Sequence, residues 1–310
     1  MLDICLLGTG GMHPLPHRFL TSLYVKFGSR ALLIDCGEST QTAMRCAGCS
    51  FKAIDLICIT HLHGDHVNGL NGLLLSMALS GRTEPVIVTG PQGLYQILSG
   101  LLITVPGLPF PLQVHELPAE PGGKPCHAAQ LDSLSIKGFP SEHRIPCLGY
   151  RLEVPRQGKF MPERAKALGI PVSQWSLLQR GQTVRADGRT ISPADVLGPA
   201  RKGLKLLYAT DTHAISSISD LGRDADLLIL EGLYGDETLR QKAFDRGHMT
   251  MLQAAQLAKD ANAAELWLTH FSPSVADPLV YQDAVSRVFP GAVMGRDGMK
   301  KTLRFQEFCQ

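Results

Sequence analysis

The stretch that most constrains this chain is residues 56 to 66, LICITHLHGDH. Its first four residues are apolar and partly β-branched, a pattern that predicts a buried strand. Three histidines and one aspartate follow within six residues, and imidazole and carboxylate groups are ligands of zinc in catalytic sites. A strand that ends in four potential ligands predicts a metal site at the edge of a sheet, in preference to a chance cluster of core or surface histidines.

The spacing of these ligands indicates two metal ions rather than one. In extended backbone, residues two apart point the same way, so His61 and His63 can converge on one point. Gly64 permits a sharp turn, after which Asp65 and His66 can face a neighbouring point. One short segment cannot complete two ligand shells, so further ligands must come from other parts of the chain.

Three later residues are candidates for those ligands, because each follows an apolar run typical of a strand. His143 follows LSIKGFPSE, Asp211 follows LKLLYAT, and His270 follows LWLT. Asp35 also ends an apolar run, ALLI. For Asp35 two interpretations stay open: it accepts a hydrogen bond from a ligand histidine and fixes its tautomer, or it caps the following helix.

A longer series of motifs resembles a known family. The strings are LLGTGG, LLIDCGESTQ, ITHLHGDHVNGLNGLLL, TGPQGL, GKF with ERAKALGIP, DVLGP, ATDT, GHMT, LTHFSP and RDGM. They are similar to the short form of ribonuclease Z, a branch of the metallo-β-lactamase superfamily, and they extend in family order over nearly the whole chain. Two details depart from the family pattern: Arg18-Phe19 stands where an Arg-Asn pair is usual, and GIPVSQWSLLQRG lacks a Gly-Pro element.

The resemblance implies an α/β fold, the αββα metallo-β-lactamase sandwich, with two zinc ions per chain, or manganese in their place. It also implies removal of the 3′ trailer from precursor tRNA by two-metal phosphodiester hydrolysis, leaving a 3′-hydroxyl on the tRNA, and a homodimer. The implied ligands are His61, His63 and His143 for one ion, Asp65, His66 and His270 for the other, and Asp211 as the bridge.

The resemblance also suggests two catalytic roles. Asp65 would orient or deprotonate the attacking water, and His248, in the GHMT motif, would protonate the departing ribose oxygen as a general acid. From the residues alone, a histidine that packs at a helix start is the simpler interpretation of His248. Glu231 closes the apolar run ADLLIL and is expected near the site, and His213 is a further candidate neighbour.

Composition agrees with a single folded hydrolase domain over residues 1–310. The chain is 44% hydrophobic and 19% charged, which indicates a large buried core. No apolar run approaches the length of a transmembrane helix, and MLDICLLGTGG reads as a first strand rather than a signal peptide. We expect a cytoplasmic protein with no membrane segment, in which the eight scattered cysteines are reduced thiols.

Residues 156–202 interrupt the alternation of strands and helices and predict an inserted basic arm. Residues 156 to 205 contain ten Lys or Arg and three acids, a net charge of +7 in a chain whose total is +2. On charge alone, a solvated loop and a polyanion-binding arm are about equally good interpretations. The resemblance favours an arm that binds the tRNA body. The candidate tRNA-binding cations are Lys159, Arg164, Lys166 and Arg180.

Two other functions stay open. The same metal motif serves hydrolases of small or non-tRNA phosphodiesters, which would not need the basic arm. A non-catalytic RNA-binding protein is the other alternative, against which the full ligand set argues.

Overall fold

Two mixed sheets form the framework of the protein in a computed structural model, which describes residues 1–105, 107–186 and 188–306. The first sheet contains β1 (Leu2–Gly8), β2 (Ser22–Phe27), β3 (Arg30–Ile34), β4 (Ile54–Cys58), β5 (Val86–Pro91), β6 (Leu112–Leu117) and β16 (Met299–Leu303), in the spatial order β16-β1-β2-β3-β4-β5-β6. The second contains β7 (Cys126–Leu131), β8 (Leu134–Ser141), β9 (Cys147–Arg156), β12 (Arg201–Ala209), β13 (Leu227–Glu231), β14 (Leu266–Thr269) and β15 (Ala292–Met294), in the spatial order β15-β14-β13-β12-β9-β8-β7.

The two sheets repeat one design, in which a hairpin-connected antiparallel part joins a parallel part. In the first sheet β1 to β3 pair antiparallel and β3 to β6 pair parallel. In the second sheet β7 to β9 pair antiparallel and β12 to β15 pair parallel. The parallel strands all end at one edge of their sheet, and Asp35, Thr60, Asp211 and His270 come within two residues of those ends. This topology places two predicted ligands, Asp211 and His270, at such an edge.

Helices cover the outer faces of both sheets. They are α1 (Thr40–Ala47), α2 (Gly64–Val67), α3 (Leu70–Leu79), α4 (Leu94–Leu101), α8 (Ser216–Leu221), α9 (Arg240–Asp245), α10 (Met251–Asp260) and α11 (Gln282–Val288), with 3₁₀ turns at Leu102–Thr104, Glu237–Leu239 and Pro278–Tyr281. Leucines and Met77 of α3 pack in one core with Ile57 and Val88 of the first sheet. Alanines of α10 pack in another with Leu228 and Leu268 of the second sheet.

Between the sheets, the strand residues that point away from the helices are buried as well. Leu32 and Leu56 of the first sheet and Tyr208 and Trp267 of the second are at most 2% exposed. The Tyr150 hydroxyl donates a hydrogen bond of 2.7 Å to the Ile59 carbonyl, which ties the two sheets together. The layer order is therefore helix, sheet, sheet, helix, the αββα sandwich that the resemblance implies.

The described residues divide into two compact units, residues 1–153 with 205–304, and residues 154–204 with 305–306. The smaller unit contains α5 (Pro162–Ala167), α6 (Val172–Gln179), α7 (Pro193–Val196) and a hairpin of β10 (Val184–Ala186) and β11 (Arg189–Ile191). It has its own apolar core around Ala165, Leu178 and Val196. None of the described helices is long and apolar enough to cross a membrane.

Candidate metal centre

The first ligand group, His61, His63 and His143, forms where β4 and β8 end. One ring nitrogen from each lies within 4.8 Å of the others, and His61 Nε2 is 2.9 Å from His63 Nδ1. Burial lowers the pKa of His61 well below its ordinary value, which keeps the ring neutral, the form that binds a metal. His143 Nδ1 donates to the Gly247 carbonyl at 2.8 Å, so its Nε2 is the nitrogen that is free to bind a metal ion.

The second group, Asp65, His66 and His270, likewise has one ligand atom of each residue within 4.8 Å of the others. His66 Nε2 lies 3.3 Å from His270 Nε2, and Asp65 Oδ2 lies 3.5 Å from His270 Nε2. The Met12 backbone N–H donates to Asp65 Oδ2 at 2.6 Å, which fixes the carboxylate. Burial opposes ionisation of Asp65, but its hydrogen bond to His270 and the charges of His66 and His270 outweigh burial and lower its pKa far below the ordinary value.

Asp211 lies between the two groups. Its Oδ1 is 3.8 Å from His61 Nε2 in the first group, and its Oδ2 is 3.3 Å from both His66 Nε2 and His270 Nε2 in the second. Burial again opposes ionisation, but the neighbouring histidines hold the pKa of Asp211 well below its ordinary value. One carboxylate oxygen therefore faces each ligand group, as the bridging role requires.

Asp35 and Thr60 support the rings from behind. His66 Nδ1 lies 2.9 Å from Asp35 Oδ2, and the Thr60 hydroxyl, which donates to Asp35, lies 3.1 Å from His61 Nδ1. Both rings therefore present Nε2 to the centre. Burial lowers the pKa of His66, but Asp35 and Asp211 outweigh burial and raise it well above its ordinary value. Of the two interpretations of Asp35, the contact with a ligand histidine is the one that the structure contains.

The centre contains buried polar atoms that lack hydrogen-bond partners, and these atoms suit divalent cations. His143 Nε2 and Asp211 Oδ2 are buried and have no hydrogen-bond partner within the described ranges. Two pairs of imidazole nitrogens face each other at 2.9 and 3.3 Å. Buried lone pairs this close are destabilising unless protons or a cation lie between them. The donor set, nitrogen and carboxylate oxygen without thiolate, is one that zinc and manganese accept.

The backbone at the centre is held in an uncommon conformation. Asp35, Asp211 and His270 have φ of 60°, 57° and 56°, in the left-handed region that only a few per cent of non-glycine residues adopt, most often Asn, Asp and His. Such conformations cost on the order of 1–3 kcal/mol each and cluster at functional sites. Each allows a strand to end abruptly and deliver its side chain to the shared edge.

His248 belongs to a hydrogen-bonded pair beside the centre. Its Nδ1 lies 3.0 Å from Glu231 Oε2, and the other Glu231 oxygen accepts the Thr212 backbone N–H at 2.7 Å. Burial lowers the pKa of His248, but the Glu231 carboxylate outweighs burial and raises it above the ordinary value. His213 is turned away from the centre, since its Nε2 donates to the Phe244 carbonyl at 2.8 Å and its ring stacks on Phe244.

The centre opens into a cavity of about 470 Å³, which we call the metal cavity. Asp65, His143, His248 and His270 line it, together with Arg144 and Arg246. Neither guanidinium forms a hydrogen bond or ion pair in the part of the chain that the structure describes. Both arginines are therefore available to an anionic substrate, and the sequence analysis missed them because neither belongs to a motif.

Two glycines that the motifs contain but that the sequence analysis did not single out shape the centre. A Cβ at Gly11 would lie 2.5 to 2.9 Å from the ring atoms of His270, so the backbone lies flat against that ring. A Cβ at Gly247 would lie 2.7 Å from His143 Nδ1, and Gly247 has φ of 76°. The LLGTGG and GHMT motifs thus contact the ligand rings directly.

The predicted tRNA-binding cations lie in the smaller unit and are all exposed. Arg180 donates to the Ser176 carbonyl at 3.0 Å, Arg164 donates to the Leu197 carbonyl at 3.4 Å, and Lys166 pairs with Glu163 at 3.9 Å. Trp175 packs inward instead, because its Nε1 donates to the Ile170 carbonyl and its ring lies 5.2 Å from that of Phe160.

The chain is similar over nearly its whole length to known proteins. A ribonuclease Z of Lachnoclostridium phytofermentans is 46% identical over 307 residues and a ribonuclease Z of Lachnospira eligens is 45% identical over 312, each alignment covering 99% of both chains. The crystal structure of the short form of human tRNase Z matches with a TM-score of 0.71 and 25% identity, covering 98% of this chain and 100% of that one.

Two family models match parts of the chain. The model described as "Beta-lactamase superfamily domain" matches residues 170–271, and the model described as "Anti-Pycsar protein Apyc1" matches residues 2–101. The first contains Asp211, His248 and His270, and the second contains His61 to His66. The full-length relatives cover all of these residues at once.

Proposed function

Because the chain belongs to the ribonuclease Z family, we propose that it is a metal-dependent endoribonuclease that removes the 3′ trailer from precursor tRNA. The observation that carries this proposal is the pair of ligand groups with Asp211 between them. We propose that His61, His63 and His143 hold one zinc ion, that Asp65, His66 and His270 hold the other, and that Asp211 bridges them. Manganese is the alternative metal for the same nitrogen and oxygen donors.

Bound there, the two ions would supply Lewis-acid stabilisation of the negative charge that develops on the phosphate. The protein supplies the proton transfers. Asp65, ionised and fixed by the Met12 N–H, orients the attacking water or deprotonates it. His248, whose pKa the Glu231 carboxylate raises, donates a proton to the departing 3′ oxygen. The products are a tRNA with a 3′-hydroxyl and a trailer with a 5′-phosphate.

We propose that residues 156–202 act as the tRNA-binding arm of the single domain. Its support is the net charge of +7 over residues 156 to 205 and the exposure of Lys159, Arg164, Lys166 and Arg180. The apolar core of the smaller unit gives these cations a folded platform. Exposed cations on a folded platform suit the phosphates of a tRNA body, which is recognised by shape and charge.

We propose further that the protein is a homodimer. In α3, Leu75 and Leu79 lie on one face and are 40% and 81% exposed, and Ile103 in the adjoining 3₁₀ turn is 82% exposed. Asn71 joins these two elements through hydrogen bonds to Leu101 and Thr104. A second copy of the chain would bury these apolar side chains. We also propose that the protein is cytoplasmic, a location that suits both a tRNA substrate and reduced, free cysteines.

Light scattering tests the dimer. The wild-type protein is expected at twice the chain mass of 33.6 kDa, and Leu79→Glu is expected at the chain mass. Leu279→Glu, which alters another exposed leucine outside α3, is the control and should stay dimeric. A monomeric wild-type protein would overturn this part of the proposal.

Product mapping tests the function. The zinc-loaded protein is incubated with a 3′-extended precursor tRNA and, separately, with bis(p-nitrophenyl) phosphate. Cleavage directly after the discriminator nucleotide, with a 3′-hydroxyl on the tRNA, supports ribonuclease Z activity. Hydrolysis of the small ester alone would favour the alternative, a phosphodiesterase of the same fold with a small or non-tRNA substrate.

A further inference from the structure

A second, smaller cavity adjoins the metal cavity. It has a volume of about 250 Å³ and shares two lining residues with the metal cavity, His143 and Arg144. We call it the side cavity. Its volume is below the roughly 300–1,000 Å³ of sites for drug-sized ligands, which suits one planar ring system rather than a whole dinucleotide.

An unsatisfied hydroxyl lines the side cavity. Ser141, the last residue of β8, is 1% exposed, and its Oγ has no hydrogen-bond partner within the described ranges. A buried hydroxyl without a partner is destabilising. A ligand that donates to or accepts from Ser141 Oγ would satisfy this group.

Two exposed polar side chains, Gln92 and Glu120, also line this cavity. The turn that carries Gln92 is held in place because Glu116 accepts the backbone N–H groups of Gly93 and Tyr95, each at 3.0 Å. The turn at Glu120 is closed by a hydrogen bond from the Gly123 N–H to the Glu120 carbonyl. An amide, a carboxylate and a hydroxyl on fixed backbone can read the donors and acceptors on the edge of a base.

The remaining wall is apolar, and a cation stands at the border with the metal cavity. Pro121, Ile145 and Pro146 contribute the apolar surface, against which the face of a base can pack. Arg144, with no hydrogen bond or ion pair among the described residues, borders both cavities. A guanidinium at that place suits the phosphate that joins two nucleotides.

We propose that the side cavity binds the base of one nucleotide that flanks the scissile phosphate, and that Arg144 contacts the phosphate of that nucleotide. The proposal rests on the function proposed above and adds a substrate subsite to it. His143, whose ring is fixed by Gly247, belongs to the metal centre and also lines the side cavity. A base seated there would position the RNA strand relative to the ligand groups.

A cycle of protein and substrate changes tests this subsite. The substrates are a 3′-extended precursor tRNA and two forms of it with an abasic ribose, one at the nucleotide before the scissile phosphate and one at the nucleotide after it. The proteins are the zinc-loaded wild type, Gln92→Ala, Glu120→Ala and the control Gln96→Ala, which removes an exposed amide outside the cavity. The readout is kcat/KM for each combination.

We expect one of the two abasic substrates to be cut about tenfold more slowly by the wild type and by Gln96→Ala. For Gln92→Ala and Glu120→Ala the same abasic change should have a much smaller effect, because the contact is already lost. Abasic effects of equal size in all four proteins, at both positions, would overturn the subsite. If the wild type leaves the intact precursor uncut while hydrolysing the small ester, the proposed function fails instead, so the two failures are distinguishable.

Discussion

The metal centre and the basic arm hold their functional side chains in opposite ways. At the centre, His61, His66 and Asp211 are at most 3% exposed, and second contacts from Thr60, Asp35 and Gly247 fix the ligand rings. In the arm the candidate cations are exposed, and the contacts of Arg164 and Lys166 are long, at 3.4 and 3.9 Å. The difference indicates that chemistry here needs fixed geometry, whereas attraction of a polyanion needs only charge on a folded support.

The largest effect is expected at Asp65, because we propose for it both a metal-ligand role and a role toward the attacking water. Asp65→Ala should lower kcat by about a thousandfold or more on both precursor tRNA and bis(p-nitrophenyl) phosphate. Metal content, measured by mass spectrometry, shows whether the variant still binds two ions. Turnover at the wild-type level in a fully metallated variant would contradict the role of Asp65.

His248 should separate the two substrates. His248→Ala is expected to lower kcat on precursor tRNA by about a hundredfold or more, because a ribose oxygen needs a proton to leave. The effect on bis(p-nitrophenyl) phosphate should be much smaller, since nitrophenolate is a stable leaving group. Equal losses on both substrates would assign His248 to metal binding or structure rather than to acid catalysis.

Asp35 tests how much the centre depends on its supporting contacts. Asp35→Asn keeps the shape and tolerates the φ of 60°, but it removes the charge beside His66 Nδ1. Loss of such a contact typically weakens metal affinity by about 10- to 100-fold. Zinc affinity by chelator competition is the measurement, and an unchanged affinity would show that the ring needs no support.

The arm should give the smallest effect per residue and one that depends on salt. Replacing Lys159, Arg164, Lys166 and Arg180 with glutamine should raise KM for precursor tRNA. The slope of log KM against log salt concentration should fall by up to about 0.7–0.9 for each phosphate contact that is lost. Glutamine replacement of Lys26 and Lys137, which lie outside the arm, is the control. A salt dependence equal to that of the wild type would remove the arm from binding.

The sequence predicts the centre better than its surroundings, for a physical reason. His143, Asp211 and His270 follow apolar runs, and strand ends that share one sheet edge bring such residues together. Arg144 and Gln92 carry no local signal, because their roles depend on loops that meet only in the folded protein. Gly11 belongs to the LLGTGG motif and Gly247 to the GHMT motif, but their contacts with the ligand rings become visible only in the folded protein.

Local signals were less informative near turns and in the arm. Proline is common at the first position of a helix, but Pro91 ends β5, and α4 begins at Leu94 after Gly93, whose φ is 93°. In the arm, the sequence PERAKALG has a helical pattern and contains α5, whereas α6, α7 and the strands β10 and β11, which the described residues also form, carry no such clear pattern. Their short apolar segments form a core only with one another, so no single segment shows a clear period.

The most direct test of a fixed, two-metal centre is a crystal structure of the zinc-loaded protein with anomalous diffraction at the zinc edge. The account predicts two peaks, one bound by His61, His63 and His143 and one by Asp65, His66 and His270. Asp211 should contribute one oxygen to each, with the rings held as Asp35, Thr60 and Gly247 hold them here. A single peak, or rings that abandon these contacts to bind zinc, would contradict it.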